Sequence, residues 1–261
     1  LRAALRSAPL KALVAALLSS SAVARALPAA FSDGLRQRLA GEGLAARSLD
    51  LMQSKIEELG YRKDQVGIFD FTLPSDRPRF FLINWRTEEF RAYRVAHGAS
   101  SGGLRAARFS NRLGTGQSSL GFILTDDEYY GQFGRSLRLK GLSPSNKEHL
   151  GSRLIVIHGA EYASPEFLRK HGYWGRSYGC FSFHQAEVDE VIDALGSRAL
   201  LLAYHDELWE QIARNPLDQQ LARLDVPPVT AWEVDENSHG SPHAKGQAPS
   251  QRYKAIYGGT Q

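Results

Sequence analysis

A mainly β domain with flanking helices, an α+β fold, is predicted by three observations on this 261-residue sequence. From Gln65 onward, short apolar runs alternate with Pro, Gly, Ser and Asp punctuation, the pattern of strands joined by turns. Several such runs precede the first clear helix of that region, which argues against alternating βαβ units. Composition is that of an ordinary globular chain, 43% hydrophobic and 23% charged, long enough for one medium domain with extensions.

The elements are justified in chain order. Arg2, Arg6 and Lys11 flank the apolar run 12–18, and Ala24-Arg25-Ala26 is a small-x-small cleavage pattern. Residues 1–26 are therefore expected to be a signal peptide, with the mature protein exported to the periplasm or cell envelope. Residues 27–64 read as a helical arm: Leu35, Leu39, Leu44, Leu49, Met52, Ile56 and Leu59 recur near helical spacing, broken at Gly41 and Gly43 and ended by Gly60. Strands are expected over 66–73, 79–85, 90–96, 120–125, 136–139, 153–157 and 198–204, with a Gly/Ser loop over 97–104. Ser164, Pro165 and Gly172 mark the start and stop of a short helix. Ser182 and Gln185 fit a capping box ahead of Val188, Val191, Ile192 and Leu195 on one helical face. The main domain is thus set at 65–205. A C-terminal helix and a Pro/Gly-rich extension fill 206–261, the latter either a disordered tail or a flap over the site.

Charge and composition exclude several functions. A net charge of +4 with scattered basic residues is no nucleic-acid footprint. No run reaches the roughly 18 apolar residues needed to span a membrane. The eight histidines lack the spacing of a zinc hydrolase, so no metal site is expected.

Chemistry points instead to the single cysteine. A secreted chain that used cysteine for stability would carry an even number, so a lone Cys180 reads as a reactive thiol. Its expected base is His158, at the end of the apolar run 153–157. Gly179 would let the backbone turn sharply and leave the amides of Tyr178 and Gly179 facing an oxyanion. A helix starting just past Cys180 would add its dipole in favour of a thiolate.

The residues His158-Gly159 followed by Ser177-Tyr178-Gly179-Cys180 resemble the catalytic motif of the murein L,D-transpeptidases of YkuD type, in their divergent branch. Supporting segments are His97-Gly98 with Ser100 and Ser101, the stretch 108–111 ending in Asn111, the stretch 118–121 with Ser118 and Ser119, Tyr130-Gly131, the stretch 136–141, and Arg176-Ser177. The resemblance covers about residues 65–205 and implies an L,D-transpeptidase-like β-sandwich or barrel. It further implies cross-linking of peptidoglycan stem peptides through a Cys180 thioester, with no cofactor. Ser177, His97, Ser118, Ser119 and Asn111 enter as substrate-binding candidates by that resemblance alone. His97 either lines the donor groove or is a loop histidine. Arg176 either reads a substrate carboxylate or makes a surface ion pair. Two departures stand out: Tyr178 replaces the family's usual histidine, and Phe181-Ser182 replaces a hydrophobic-Arg/Asn pair. Without that Arg or Asn, the donor carbonyl is expected to lie elsewhere than beside a terminal D-residue, for example at L-Ala, giving 1,3-type instead of 3,3-type cross-links. An L,D-carboxypeptidase or endopeptidase using the same residues, and a non-catalytic peptidoglycan-binding module, are the alternatives.

Overall fold

The computed structural model describes residues 30–147 and 149–206. The expected signal peptide, the C-terminal helix and the extension lie outside the described residues. No described helix is long and apolar enough to cross a membrane.

Two helices open the described chain, α1 (Asp33–Gly41) and α2 (Ala46–Leu59). Ser32 caps the first through its hydroxyl, and left-handed Gly60 closes the second. Ten strands follow: β1 (Gln65–Asp70), β2 (Phe80–Asn84), β3 (Glu89–Tyr93), β4 (His97–Gly98), β5 (Gly121–Gly131), β6 (Gly134–Gly141), β7 (Val156–Gly159), β8 (Arg176–Ser177), β9 (Phe181–Phe183) and β10 (Leu200–Tyr204). Between them sit α3 (His149–Ser152), α4 (Pro165–His171) and α5 (Val188–Leu195).

Eight strands form one sheet in the order β3-β2-β1-β10-β5-β6-β7-β9, parallel at β1/β10 and β7/β9 and antiparallel elsewhere. The chain leaving β3 returns to the opposite edge, where the Ala96 amide donates to Ser182 O at 2.8 Å. That bridge draws the two edges together into a nearly closed, barrel-like sheet, which leaves little unpaired edge. This is the mainly β fold with flanking helices that the turn-punctuated runs predict.

Each strand divides its side chains between two faces. Inward-facing Phe69, Phe80, Phe181 and Phe183 stack with Ile123, Leu137, Ile157 and Leu201, and Val188, Val191, Ile192 and Leu195 of α5 close over them. The outer face of β1, β2 and β10 is covered by Leu35, Leu39, Leu49, Met52 and Ile56 of the arm. Each such buried side chain contributes about 1.5–3 kcal/mol, so the arm is integral to the packed unit and not a tether. Towards β6, β7 and β9 the same outer face carries Ser136, Arg138, Val156, His158 and Ser182 instead. The candidate site lies there.

Candidate active site

Strands β7 and β9 place the histidine and the cysteine. Their parallel register pairs Ile157 with Phe181 and His158 with Ser182, so Cys180, one residue before β9, sits beside Val156 two positions along from His158. His158 is 1% exposed. One ring nitrogen, Nδ1, lies 2.8 Å from Gly159 O, a group that only accepts, so the proton is assigned to Nδ1. The other, Nε2, then accepts from Ser182 Oγ at 3.0 Å, and Ser182 Oγ in turn accepts from the Tyr162 hydroxyl at 2.9 Å. Phe133, from the β5–β6 hairpin, stacks on the imidazole at 4.1 Å between centroids. Burial holds His158 below the ordinary histidine pKa, partly opposed by its bond to Gly159.

The cysteine turn is built on Gly179, whose φ of +121° lies in the region that favours glycine. A Cβ there would come within 2.8 Å of Ile155 Cδ1 and 2.9 Å of Gln117 O. Ser177 staples the turn, its hydroxyl donating to Cys180 O at 2.7 Å and accepting from the Gly179 amide at 3.0 Å. The Gly179 amide is therefore occupied and does not face the site as the sequence led one to expect. Gly179→Ala should cost about 1–3 kcal/mol from the dihedral alone and lower Tm by roughly 2–4 °C per kcal/mol. Thermal unfolding checks it; an unchanged Tm would mean that the turn relaxes freely.

Cys180 is partly exposed, with its thiol 3.6 Å from Leu154 O. Burial pushes the thiol pKa up, and the Val156 amide and the Arg153 guanidinium pull it down. Thiol and imidazole do not bond each other in this arrangement. Two sequence expectations are corrected here. Ser182 does not cap a helix: it is a β9 residue bonded to His158, and α5 begins at Val188 with no side-chain cap. The α5 dipole therefore does not act on Cys180, because its effect fades within the first turn of a helix.

A family profile described as the L,D-transpeptidase catalytic domain matches residues 44–204. The chain belongs to this family. An L,D-transpeptidase from Mycobacterium smegmatis is similar in structure, with 12% identity over 54% of this chain and 59% of that one, at a TM-score of 0.35. The helical cell shape determining protein Pgp2 from Campylobacter jejuni is similar at 13% identity, over 59% of this chain and 54% of that one, with a TM-score of 0.33. The chain thus spans a little over half the length of each. A sequence search of curated proteins returns no match.

Within this L,D-transpeptidase domain, the remaining candidates separate into surface and frame. Arg176 and Tyr178 are exposed beside the cysteine turn. The Arg176 guanidinium stacks on Tyr173 at 5.0 Å, donates to its hydroxyl at 3.3 Å and to Gly102 O at 3.5 Å, and pairs with no carboxylate among the described residues. The frame holds the others, all fully buried. His97 is no loop residue: it forms β4 beside β8, accepts from Arg79 at 2.7 Å, and has its pKa pushed down to about 3 by burial and that guanidinium. Ser118 Oγ accepts from the Gly98 amide at 2.9 Å, and Ser119 Oγ accepts from Arg153 Nη1 at 2.5 Å. Asn111 is enclosed with neither side-chain polar atom bonded. None of these four presents its side chain to solvent. Phe181, directly after the cysteine, is an inner-core residue stacked on Phe69 at 4.2 Å and does not line the site.

Sequence reasoning missed Tyr162, Phe133 and Arg153, which reach the site from other segments. It also misplaced the strand that leads to His158. The expected strand 153–157 starts only at Val156, because Arg153 turns into a web of bonds with residues 110–119 and Leu154 takes a left-handed φ of +55°.

Proposed function

We propose that the protein is a peptidoglycan L,D-transpeptidase that forms a thioester on Cys180. The observation that carries this reading is the β7–β9 register, which sets the chain's only cysteine and a neutral, lone-pair-bearing His158 on one face of a domain of this family. In the proposed reaction the sulfur attacks the carbonyl of an L-centre in a stem peptide, and the thiol proton passes to Nε2 of His158, with the Ser182 hydroxyl turning aside to accept from it. The C–N bond then breaks, the departing amine takes that proton, and a thioester remains. A side-chain amine of a neighbouring stem gives up a proton to the same nitrogen, attacks the thioester and releases the thiol, completing the cross-link. With the Gly179 amide occupied by Ser177, oxyanion stabilisation is assigned to the neighbouring backbone amides of Tyr178 and Cys180; one such donor is typically worth about 2.7–4 kcal/mol. The domain's own residues suffice for each step, with no cofactor. The place of action is the cell envelope, in keeping with the basic-apolar segment 1–26.

Incubation of purified protein with muropeptides, read by mass spectrometry, tests the proposal. Dimers are expected; trimmed monomers alone would replace it with a carboxypeptidase or endopeptidase, and unchanged substrate with a binding module.

The donor follows from the departures. Ser182 is fully buried and committed to His158, so it has no group to offer a terminal carboxylate. Of the residues flanking the cysteine, Arg176 alone offers an exposed guanidinium. A non-terminal donor such as L-Ala, giving 1,3-type cross-links, is favoured if Arg176 is idle. Arg176→Ala is accordingly expected to change the KM for the donor less than twofold. A tenfold or larger rise, together with only 3,3-linked dimers in tandem mass spectra, would show that Arg176 reads the terminal carboxylate.

A further inference from the structure

We propose that Leu154 is a positioning residue for the nucleophile: its carbonyl holds Cys180 as a neutral thiol at rest, so that the proton leaves only as His158 takes it during attack. The inference rests on the reading of Cys180 as nucleophile and adds the state from which the reaction starts.

Leu154 lies in the turn that joins α3 to β7. Its amide donates to Gly151 O at 3.0 Å, and the Ile155 amide reaches back to Leu150 O at 3.1 Å. With a left-handed φ of +55° at Leu154, this pair of bonds is the turn that commonly ends a helix, at a place usually given to glycine. The bonds on either side of the Leu154 carbonyl fix where it points. The Cys180 thiol donates to it at 3.6 Å. The Val156 amide, two residues on, also bonds the sulfur. Between them Ile155 is buried, its Cδ1 2.8 Å from where a Cβ on Gly179 would stand. The sulfur thus sits against the backbone of residues 154–156.

These two backbone groups respond differently to the charge on sulfur. An N–H can donate to a thiol or a thiolate. A carbonyl only accepts, so it bonds a thiol and repels a thiolate. Because the turn holds Leu154 O in place, it cannot swing away to relieve that repulsion. Burial acts in the same sense and pushes the thiol pKa up, while the Val156 amide and the charge of Arg153 draw it down. The Tyr129 phenol on β5 is held neutral, its own pKa raised by burial first and by Cys180 second. His158 on β7 is kept neutral by burial, so it offers a resting thiolate no counter-charge. Of these groups, Leu154 O favours the protonated sulfur by direct contact. The resting proton therefore points at Leu154, and the imidazole receives it only when the sulfur moves onto a carbonyl carbon.

Cys180 is the chain's only thiol, so its S–H stretching band in the infrared reads its protonation and its hydrogen bond without background. At pH 7 the wild type is expected to show that band, at a lower frequency than the same thiol in the unfolded chain. The pH dependence of alkylation by iodoacetamide should give a pKa at or above about 8.5, the ordinary thiol value. Leu154→Gly suits the left-handed turn and should leave both band and pKa in place. Leu154→Val, β-branched, does not hold that φ, and its carbonyl turns away from the sulfur. The band should then rise towards its unfolded frequency and the pKa fall by about one unit, making alkylation at pH 7 about tenfold faster. A wild type with no S–H band at pH 7, or with the band at its unfolded frequency, would overturn the inference without any variant having to fold. So would equal pKa values in folded Leu154→Val and Leu154→Gly. Turnover of Cys180→Ala, measured alongside, keeps the two readings apart. If that variant still cross-links, the nucleophile reading fails; if it is dead while the wild type lacks the lowered band, only the role of Leu154 fails.

Discussion

Cys180→Ala is expected to abolish cross-linking while leaving the fold in place. A thioester needs a sulfur, and among the described residues no other thiol is available because the chain has one cysteine. Removing a covalent nucleophile costs on the order of 10⁴-fold or more in turnover, which puts the product below detection in a muropeptide assay. The fold should tolerate the change: Cys180 is partly exposed, and the turn is held by backbone atoms, the Ser177 hydroxyl and Gly179. Tm should therefore shift by no more than a few °C. Cys180→Ser should fail as well, since its hydroxyl ionises far less readily than a thiol. Intact-mass measurement during turnover gives an independent reading, as the wild type alone should carry an acyl adduct. A folded Cys180→Ala protein that still makes dimers would end the thioester proposal.

Much of this arrangement was legible in the sequence because its signals are local. Ser164, Pro165 and Gly172 foretell α4, and the cap is present, with Ser164 Oγ accepting from Phe167 N at 3.2 Å. Gly60 foretells the end of α2 by adopting the left-handed conformation that glycine tolerates. The expected strand runs other than 120–125 lie within three residues of the observed ones, since apolar spacing and turn residues are properties of neighbouring positions. By contrast, β5 continues to Gly131, and the short β4, β8 and β9 were not foreseen.

What was not legible depends on contacts between distant segments. Ser182 carries two local signals, a capping box and a period-2 alternation between Phe181 and Phe183. Burial of both phenylalanines in the inner core decides for the strand, and that outcome turns the hydroxyl onto His158. Arg153 read as the start of a strand because its partners lie 34 to 43 residues away, in a segment with no periodic pattern. His97, Ser118, Ser119 and Asn111 resemble a binding set when quoted from motifs. Their burial shows that a family motif also records how a frame is held together. Frame and site share the same segments here: the stretch 97–119 that closes the barrel also supports the cysteine turn through Arg153.

His158→Ala is expected to lower turnover by roughly 10²–10⁴-fold, the usual worth of a positioned acid-base group. The loss should fall on kcat, because the imidazole is buried under Phe133 and moves protons without binding the stem peptide. Its pH signature has a definite sign. Burial lowers the His158 pKa below 6.5, and protonation removes the lone pair that takes the thiol proton. A lowered pKa means that this loss occurs at lower pH, so the acid limb of kcat/KM for the wild type should lie below pH 6.5. Ser182→Ala removes the hydroxyl donated to Nε2 and should move that limb, because the donated bond favours the neutral ring. Without it the imidazole protonates more easily, and the limb shifts towards higher pH. A steady-state pH profile of the wild type and the two variants reads all three effects. Should the wild-type limb stand at or above 6.5, or His158→Ala keep its full rate, His158 is not the base and the proton of Cys180 leaves by another route.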